Sequence, residues 1–448
     1  MSSEHKLHSF NQQNATARLL NPADVFVPAG FQIEVFAEGL NTPSDMLFIN
    51  ESTILITDSG YISGNGKVLR LQDGRLEVIA EGFNPPVNGI AYRGGNIYVS
   101  HRGYITVVRE NGTKVNIISG LPSLGDYSNN NVVFGQDNKI YFGIGSATNS
   151  GVVGLDNKWI YDYPRFHDYP GGYILLNGQN FETVNAYSAG AEIALTGAFS
   201  PYGIPNTPFE IRKGVTIATG SILRANPDGT DVELVAWGLR NPARIRFDSL
   251  NQLFASNHGY DHRGSRPIAN APDELFFIQE GLWYGFPDYT AGEPVTLTRY
   301  ATYERNSIEF LLTNRPNDPP RPFVTFPPQS TIMGFDFNPY DAFGNQGDIF
   351  IAEFGRIEAI TSDDTRPYAG VGHRISKIDI ATRGVTTFAI NRSGFPSAVT
   401  REGGFGRPID VEFGPDGAMY VLDMGTNLQQ DPNIYIPNTG VIWRITRV

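Results

Sequence analysis

Cysteine is absent from all 448 residues. That excludes disulfide staples, thiolate zinc centres and a cysteine nucleophile, and leaves the redox compartment open. Charge is sparse at 18% and leans acidic, with 34 Lys and Arg against 46 Asp and Glu, a formal −12. A chain of that sign gives no footprint for nucleic acid; its carboxylates serve solubility or a hard cation such as calcium. No apolar run approaches the ~20 residues needed to span a bilayer. The first twenty residues, MSSEHKLHSFNQQNATARLL, lack the apolar core of a secretory signal and read as a polar tail. What is plentiful is glycine (49) and proline (30), dispersed between apolar runs in a chain that is 40% hydrophobic. Many short strands joined by many turns around a sizeable core have that composition.

One pattern recurs six times: a β-rich run, a turn, and a second β-rich run ending in a small or polar cluster. The copies are SDMLFINESTILITDSG (44–60), VNGIAYRGGNIYVSHRG (87–103), NNVVFGQDNKIYFGIGS (130–146), PARIRFDSLNQLFASNHG (242–259), MGFDFNPYDAFGNQGDIFIAEFG (333–355) and GRPIDVEFGPDGAMYVLDMG (406–425). The first three begin 43 residues apart, a blade-like period. Turn pairs such as Asp416-Gly417, Gly94-Gly95 and Asp137-Asn138 sit where each hairpin must reverse. A second hairpin follows most copies, at 66–83, 105–121, 220–239 and 374–390, so two hairpins make a four-stranded blade. The last copy is followed by one strand only, GVIWRITRV (440–448), and the early strand GFQIEVFAEGL (30–40) is free to fill the empty outer place. Filling it removes an open sheet edge. The expectation is an all-β, six-bladed propeller over 21–448, closed by an N-terminal strand. A long loop insertion at 147–219, rich in Tyr, Phe, Gly and Asn, is expected on one face.

In a propeller the ends of the blade strands converge on a central channel. Asp58, His101-Arg102, Ser146, Asn257-His258, Glu353 and Asp423 occupy those ends, as site residues or as plain channel lining. GLRNPARIRFD (238–248) sets Arg240 beside Asn241 just before a strand, aiming a guanidinium and an amide at the channel. Arg374 in GHRISKI and Arg407 in GRPIDVEFGPDG are expected to open other blades in the same way. Three inward guanidinia repel one another unless an anion sits among them or each pairs with a local carboxylate; the residues leave both open.

GLRNP (238–242), together with VPAGFQIEVFAEGLNTP (27–43), DELFFIQEGLWYGFPDY (273–289), GDIFIAEFG (347–355) and GRPIDVEFGPDGAMYVLD (406–423), resembles the glucose/sorbosone dehydrogenase family. Members of that family are soluble propellers that use pyrroloquinoline quinone, and the likeness runs from about Asn21 to the C-terminus. The resemblance implies a quinone held by Arg240, Asn241 and Arg407, with Arg374 where the family usually has lysine. It implies calcium held by the carbonyls of Gly259 and Tyr260. Asp273 and Glu274 are either a second, structural calcium site or turn caps. It also implies a sugar or polyol substrate, an unspecified electron acceptor and an extracellular or cell-surface setting.

The chain departs from the family where a general base is expected. Tyr127 stands in place of the usual histidine, and Phe354 in IAEFG replaces another. A tyrosine with pKa near 10 is protonated where a histidine near 6.5 is not, so Asp126, His258 or His101 would have to substitute. Three functions follow: a quinoprotein oxidising a sugar or polyol, a catalytically silent binding or structural module, or a calcium-dependent lactonase using acids such as Glu353, Asp58 and Asp423.

Overall fold

A computed structural model describes residues 18–302, 307–356, 371–428 and 434–448. Six antiparallel sheets, each with a core of four strands, form a ring in which the innermost strands of successive blades touch one another and the last touches the first. From blade 1 to blade 6 the innermost strands are Pro43–Asn50, Val87–Arg93, Asn129–Phe134, Pro242–Phe247, Ile332–Phe337 and Pro408–Phe413. Among the described residues no helix is long and apolar enough to cross a membrane.

Burial follows position in the blade. Second strands such as Thr53–Asp58, Leu253–Asn257 and Met419–Asp423 are buried at every residue. Both faces of such a strand lie against neighbouring blades, so its apolar residues do not alternate with exposed ones, and its polar residues are buried too. The outermost strand of blade 6, Phe31–Leu40, alternates half-buried with exposed, because one face meets solvent.

That strand closes the ring. Phe31–Leu40 pairs with Gly440–Arg447 from Phe31 opposite Arg447 to Leu40 opposite Gly440. The N-terminal segment does more than the sequence suggested. Val25–Phe26 adds a fifth strand to blade 5, opposite Ile390 and Asn391. Arg18, inside the stretch read as a polar tail, ion-pairs with the buried Asp423 at 2.7 Å and donates to the carbonyls of Gly404 and Thr439. Residues 18–40 are therefore sewn into two adjacent blades.

Residues 147–219 leave blade 3 and return to it. Asp168 fastens the neck: its carboxylate accepts from Ala147 N (2.6 Å), Thr148 Oγ1 (2.5 Å) and Thr219 Oγ1 (2.9 Å). Beyond the neck, Ile174, Leu176, Phe181 and Phe199 share an apolar core with Trp237, Trp283 and Leu311. The insertion thus packs against the end of blade 3 and the long segment between the third and fourth strands of blade 4.

Candidate active site at the channel mouth

A cavity of about 610 Å³ opens at one end of the channel, within the range usual for small-molecule sites. Its floor has sixfold logic. Ser44, Asn88, Asn130, Ala243, Met333 and Ile409, the second residue of each innermost strand, all line it. The third residues lie one layer deeper: Asp45, Gly89, Asn131, Arg244, Gly334 and Asp410. Asp45 and Asp410 lie against each other, and burial raises both carboxyls above the usual carboxylate range. A Cβ at Gly89 would strike Asn131, and one at Gly334 would strike Asp410. The axis is therefore filled beneath the floor.

The wall has a phase the sequence did not show. Asp58, His101, Asn257, Glu353 and Asp423 were expected at the channel, but none lines the cavity. Each is a buried cap. Asn257 Oδ1 accepts from Arg240 N and Asn241 N at 3.1 and 3.0 Å, and Asp423 accepts from Gly406 N and Arg407 N at 2.7 and 2.8 Å. The next residue along is the one that faces in: Arg102, His258, Phe354 and Met424 all line the cavity. Side chains alternate along a strand, so a shift of one residue exchanges blade interior for cavity.

Arg240 and Asn241 reach the cavity from a pinned loop. Gly238 turns it at φ +75° with Trp283 packed against its Cα, and the Arg240 carbonyl accepts from Ser146 N at 2.7 Å. The Arg240 guanidinium lies over the Tyr127 ring at 4.8 Å, pairs with Asp261 at 2.5 Å and donates to Asn149 Oδ1 at 2.8 Å. Beside it Arg263, unremarked in the sequence, ion-pairs with Asp126 at 2.8 Å, Asp156 at 2.7 Å and Asp261 at 3.2 Å. Burial opposes the charge on Asp261, but Arg240 and Arg263 outweigh it and hold its carboxyl below the usual range. Asp126 Oδ1 also accepts from Asn157 Nδ2 and Trp159 Nε1, both at 2.9 Å.

The expected trio of arginines around an anion does not assemble. Arg374 does not line the cavity; it pairs with Glu353 at 3.1 Å. Arg407 lies behind the wall, over the Phe354 ring at 5.1 Å, and donates to the Arg356 carbonyl at 2.6 Å. Arg240 and Arg374 pair with carboxylates, the alternative left open by the sequence, whereas Arg407 donates to backbone carbonyls.

Neither Tyr127 nor His258 is free to act as a base at neutral pH. Burial pushes the Tyr127 phenol far above its ordinary value, so it stays protonated. His258 is held at about 4 by burial and then by Arg240. Its Nε2 faces the Ile332 carbonyl at 2.9 Å and so carries the proton, while Nδ1 accepts from Asn241 Nδ2 at 3.1 Å. Asn241 in turn accepts from Asn130 at 2.9 Å. The imidazole ends a hydrogen-bond chain with both nitrogens spent.

Calcium on the Gly259 and Tyr260 carbonyls would rest on backbone oxygens, and the acids nearby, Asp273 and Glu274, are engaged with other groups. Gly259 lines the cavity, but Tyr260 is buried away from it and donates to the Tyr289 carbonyl at 3.0 Å. Asp273 accepts from Gly259 N at 2.8 Å and Thr331 N at 2.5 Å, and Glu274 from Asn257 Nδ2 at 2.7 Å and Thr290 Oγ1 at 3.2 Å. Neighbours in a strand, they diverge and behave as caps. Among the described residues no three acids or histidines are grouped to hold a metal. A flat quinone fits better in shape, because Met333, Phe354, Ile409 and Met424 give blades 5 and 6 an apolar wall beside the charged one.

Fold and cavity together define a six-bladed propeller with a closed axis and one polar cup at the channel mouth. No protein-family profile matches the chain, and no curated protein matches it. Solved structures do. The holo pyrroloquinoline-quinone domain of pyranose dehydrogenase from Coprinopsis cinerea is 14% identical, with TM-score 0.59 over 94% of this chain and 97% of that one. The quinone-bound aldose sugar dehydrogenase of Streptomyces coelicolor is 15% identical, with TM-score 0.53 over 94% and 100%. A calcium structure of a Trichoderma reesei carbohydrate-active enzyme is 15% identical, with TM-score 0.56 over 98% and 99%. At such identities the likeness is one of fold: the chain has the six-bladed architecture of soluble sugar dehydrogenases, the likeness its motifs pointed to.

Proposed function

We propose that the cup binds a sugar or related polyol and that the protein is an oxidoreductase of the quinoprotein type. One observation carries this: a ligand-sized cavity at the channel mouth with guanidinium–carboxylate pairs on one side and an apolar wall on the other. Hydroxyl groups bond to the first and the C–H face of a sugar ring packs on the second. The sugar dehydrogenases that share the fold support the reading. Pyrroloquinoline quinone, when bound, would supply a two-electron acceptor.

The chain's own residues must then orient the substrate and take its hydroxyl proton. Arg240, Arg263 and their aspartates offer fixed donors and acceptors for orientation. For the proton, Asp273 is the best placed group: it lines the cavity, and burial raises its carboxyl to about 7, near the optimum for a general base. The test is the absorbance spectrum of the protein with added quinone and calcium, before and after an aldose. A quinone that binds and is reduced supports the reading; one that never binds overturns it.

A second reading, a binding module without catalysis, is favoured by the engagement of Tyr127, Asp126 and His258 with other groups. Tyr127→His separates the two. A base at that position is worth about 10²–10⁴-fold, so turnover should rise by that order in an enzyme and stay at zero in a binding module. The lactonase reading has little support, because Asp58, Glu353 and Asp423 are caps outside the cavity.

A further inference from the structure

The four aspartates that line the cavity, Asp126, Asp156, Asp261 and Asp273, all come from blades 3 and 4 or the loops beside them. The wall from blades 1, 2 and 6 has no carboxylate and a single cation, Arg102. Arg102 is held firmly by its backbone, whose N–H donates to the carbonyls of Asn84 and Pro86 at 3.2 and 3.1 Å. The preceding His101 is clamped between Asn84 N at 3.2 Å and Thr106 Oγ1 at 2.7 Å. The guanidinium itself is unspent. Its Nε is buried without a hydrogen-bond partner, and among the described residues no Asp or Glu pairs with it. Beside it in the wall stand Tyr61 and Tyr435, their rings 6.1 Å apart and 16° from parallel.

A buried donor on a cation with nothing to bond is unfavourable, and the group that best satisfies a guanidinium is a two-oxygen anion. The adjoining tyrosines present flat apolar faces with polar tips, suited to a ring that is apolar on its faces and polar at its edge. We propose that the substrate is an acidic sugar of the uronic acid class, its carboxylate bound by Arg102 and its ring lying against Tyr61 and Tyr435. This rests on the sugar-binding reading of the cup and adds the substrate class. A quinone carboxylate has the same chemistry, so the test must tell the two sources apart.

The experiment is calorimetric binding of glucuronate and glucose to the full chain without cofactor, for the natural protein, Arg102→Gln and Arg102→Lys. Quinone binding is measured in parallel. Glucuronate should bind about tenfold or more tighter than glucose, and more weakly as salt rises. Arg102→Gln should bring glucuronate to the level of glucose, with Arg102→Lys between. Equal binding of the two sugars to the natural protein overturns the proposal. So does an Arg102→Gln variant that loses quinone while keeping glucuronate. Should Arg102→Gln fail to fold, the sugar ratio of the natural protein and Arg102→Lys decide the matter. Arg102-dependent glucuronate binding without oxidation would uphold this inference and sink the dehydrogenase reading alone. Oxidation of glucose without preference for glucuronate would do the reverse.

Discussion

Arg263, in the wall beside blade 4, lies within ion-pair distance of Asp126, Asp156 and Asp261, whereas Arg102, two blades away in the same cavity, has no carboxylate beside it among the described residues. Both are set by rigid surroundings, but they do different work. The Arg263 cluster is held within the fold: the guanidinium ties Asp126, Asp156 and Asp261 together, fixes the loops that carry them, and gives the wall its shape. Arg102 keeps its hydrogen-bonding capacity for something outside the protein. Paired charges shape a site and offer fixed positions to neutral hydroxyl groups, whereas an unpaired cation is suited to a ligand's own charge.

Both walls depend on the ring being closed, so the largest effect comes from opening it. Deleting residues 1–40 removes the strand paired along Gly440–Arg447 and the two-residue strand on blade 5. The expected outcome is loss of cooperative thermal unfolding, followed by circular dichroism. Deleting 1–17 stops short of Arg18 and should leave the transition in place. A cooperative transition in the longer deletion would show that the cup stands without closure.

Next is Arg263→Met, which strands Asp126 and Asp156 in a largely buried cluster and leaves Asp261 to Arg240 alone. It should lower stability by about 3–5 kcal/mol in denaturant titration. Asp261, held below the usual carboxylate range, contributes stability that is present above its unfolded value and lost as pH falls through the folded one. The variant should therefore differ most from the natural protein at neutral pH and converge with it in acid. A uniform loss at all pH values would mean that packing, not pairing, is what Arg263 contributes.

His258 gives a smaller and purely titrational effect. Its folded pKa of about 4 lies below the ordinary histidine value of about 6.5. The neutral imidazole thus contributes stability above that ordinary value, and the contribution is lost as pH falls towards the folded one. His258→Gln should flatten the stability profile in that window, and the imidazole resonances of His258 should not move between about pH 5 and 8. A titration near neutrality would free this histidine for the role of base.

Arg102→Met closes the series. With no ion pair to break and one unbonded buried donor removed, stability should stay the same or rise slightly, by no more than about 1 kcal/mol. A loss comparable to that of Arg263→Met would reveal a structural partner and erase the contrast between the walls.

The sequence by itself determined the number of blades, their four-strand make-up and the closing strand. A repeat states its own architecture: each unit buries its faces only against its neighbours, so the period and one missing outer strand define a ring. It also located Arg240, Asn241, Tyr127 and His258 near one another, because a motif before an inner strand must lie at the channel mouth. Only the tertiary structure decided which of two adjacent residues looks inward. His101 and Arg102, Asn257 and His258, Glu353 and Phe354, Asp423 and Met424 are equally plausible in sequence, and packing between blades sets the phase of a period of two. Only the tertiary structure, too, gave Arg240 to Asp261, Arg374 to Glu353 and Arg263 to three aspartates drawn from separate loops. Two of those, Asp126 and Asp156, lie more than a hundred residues before Arg263, and no local pattern encodes a charge pair whose members meet only after the ring has formed.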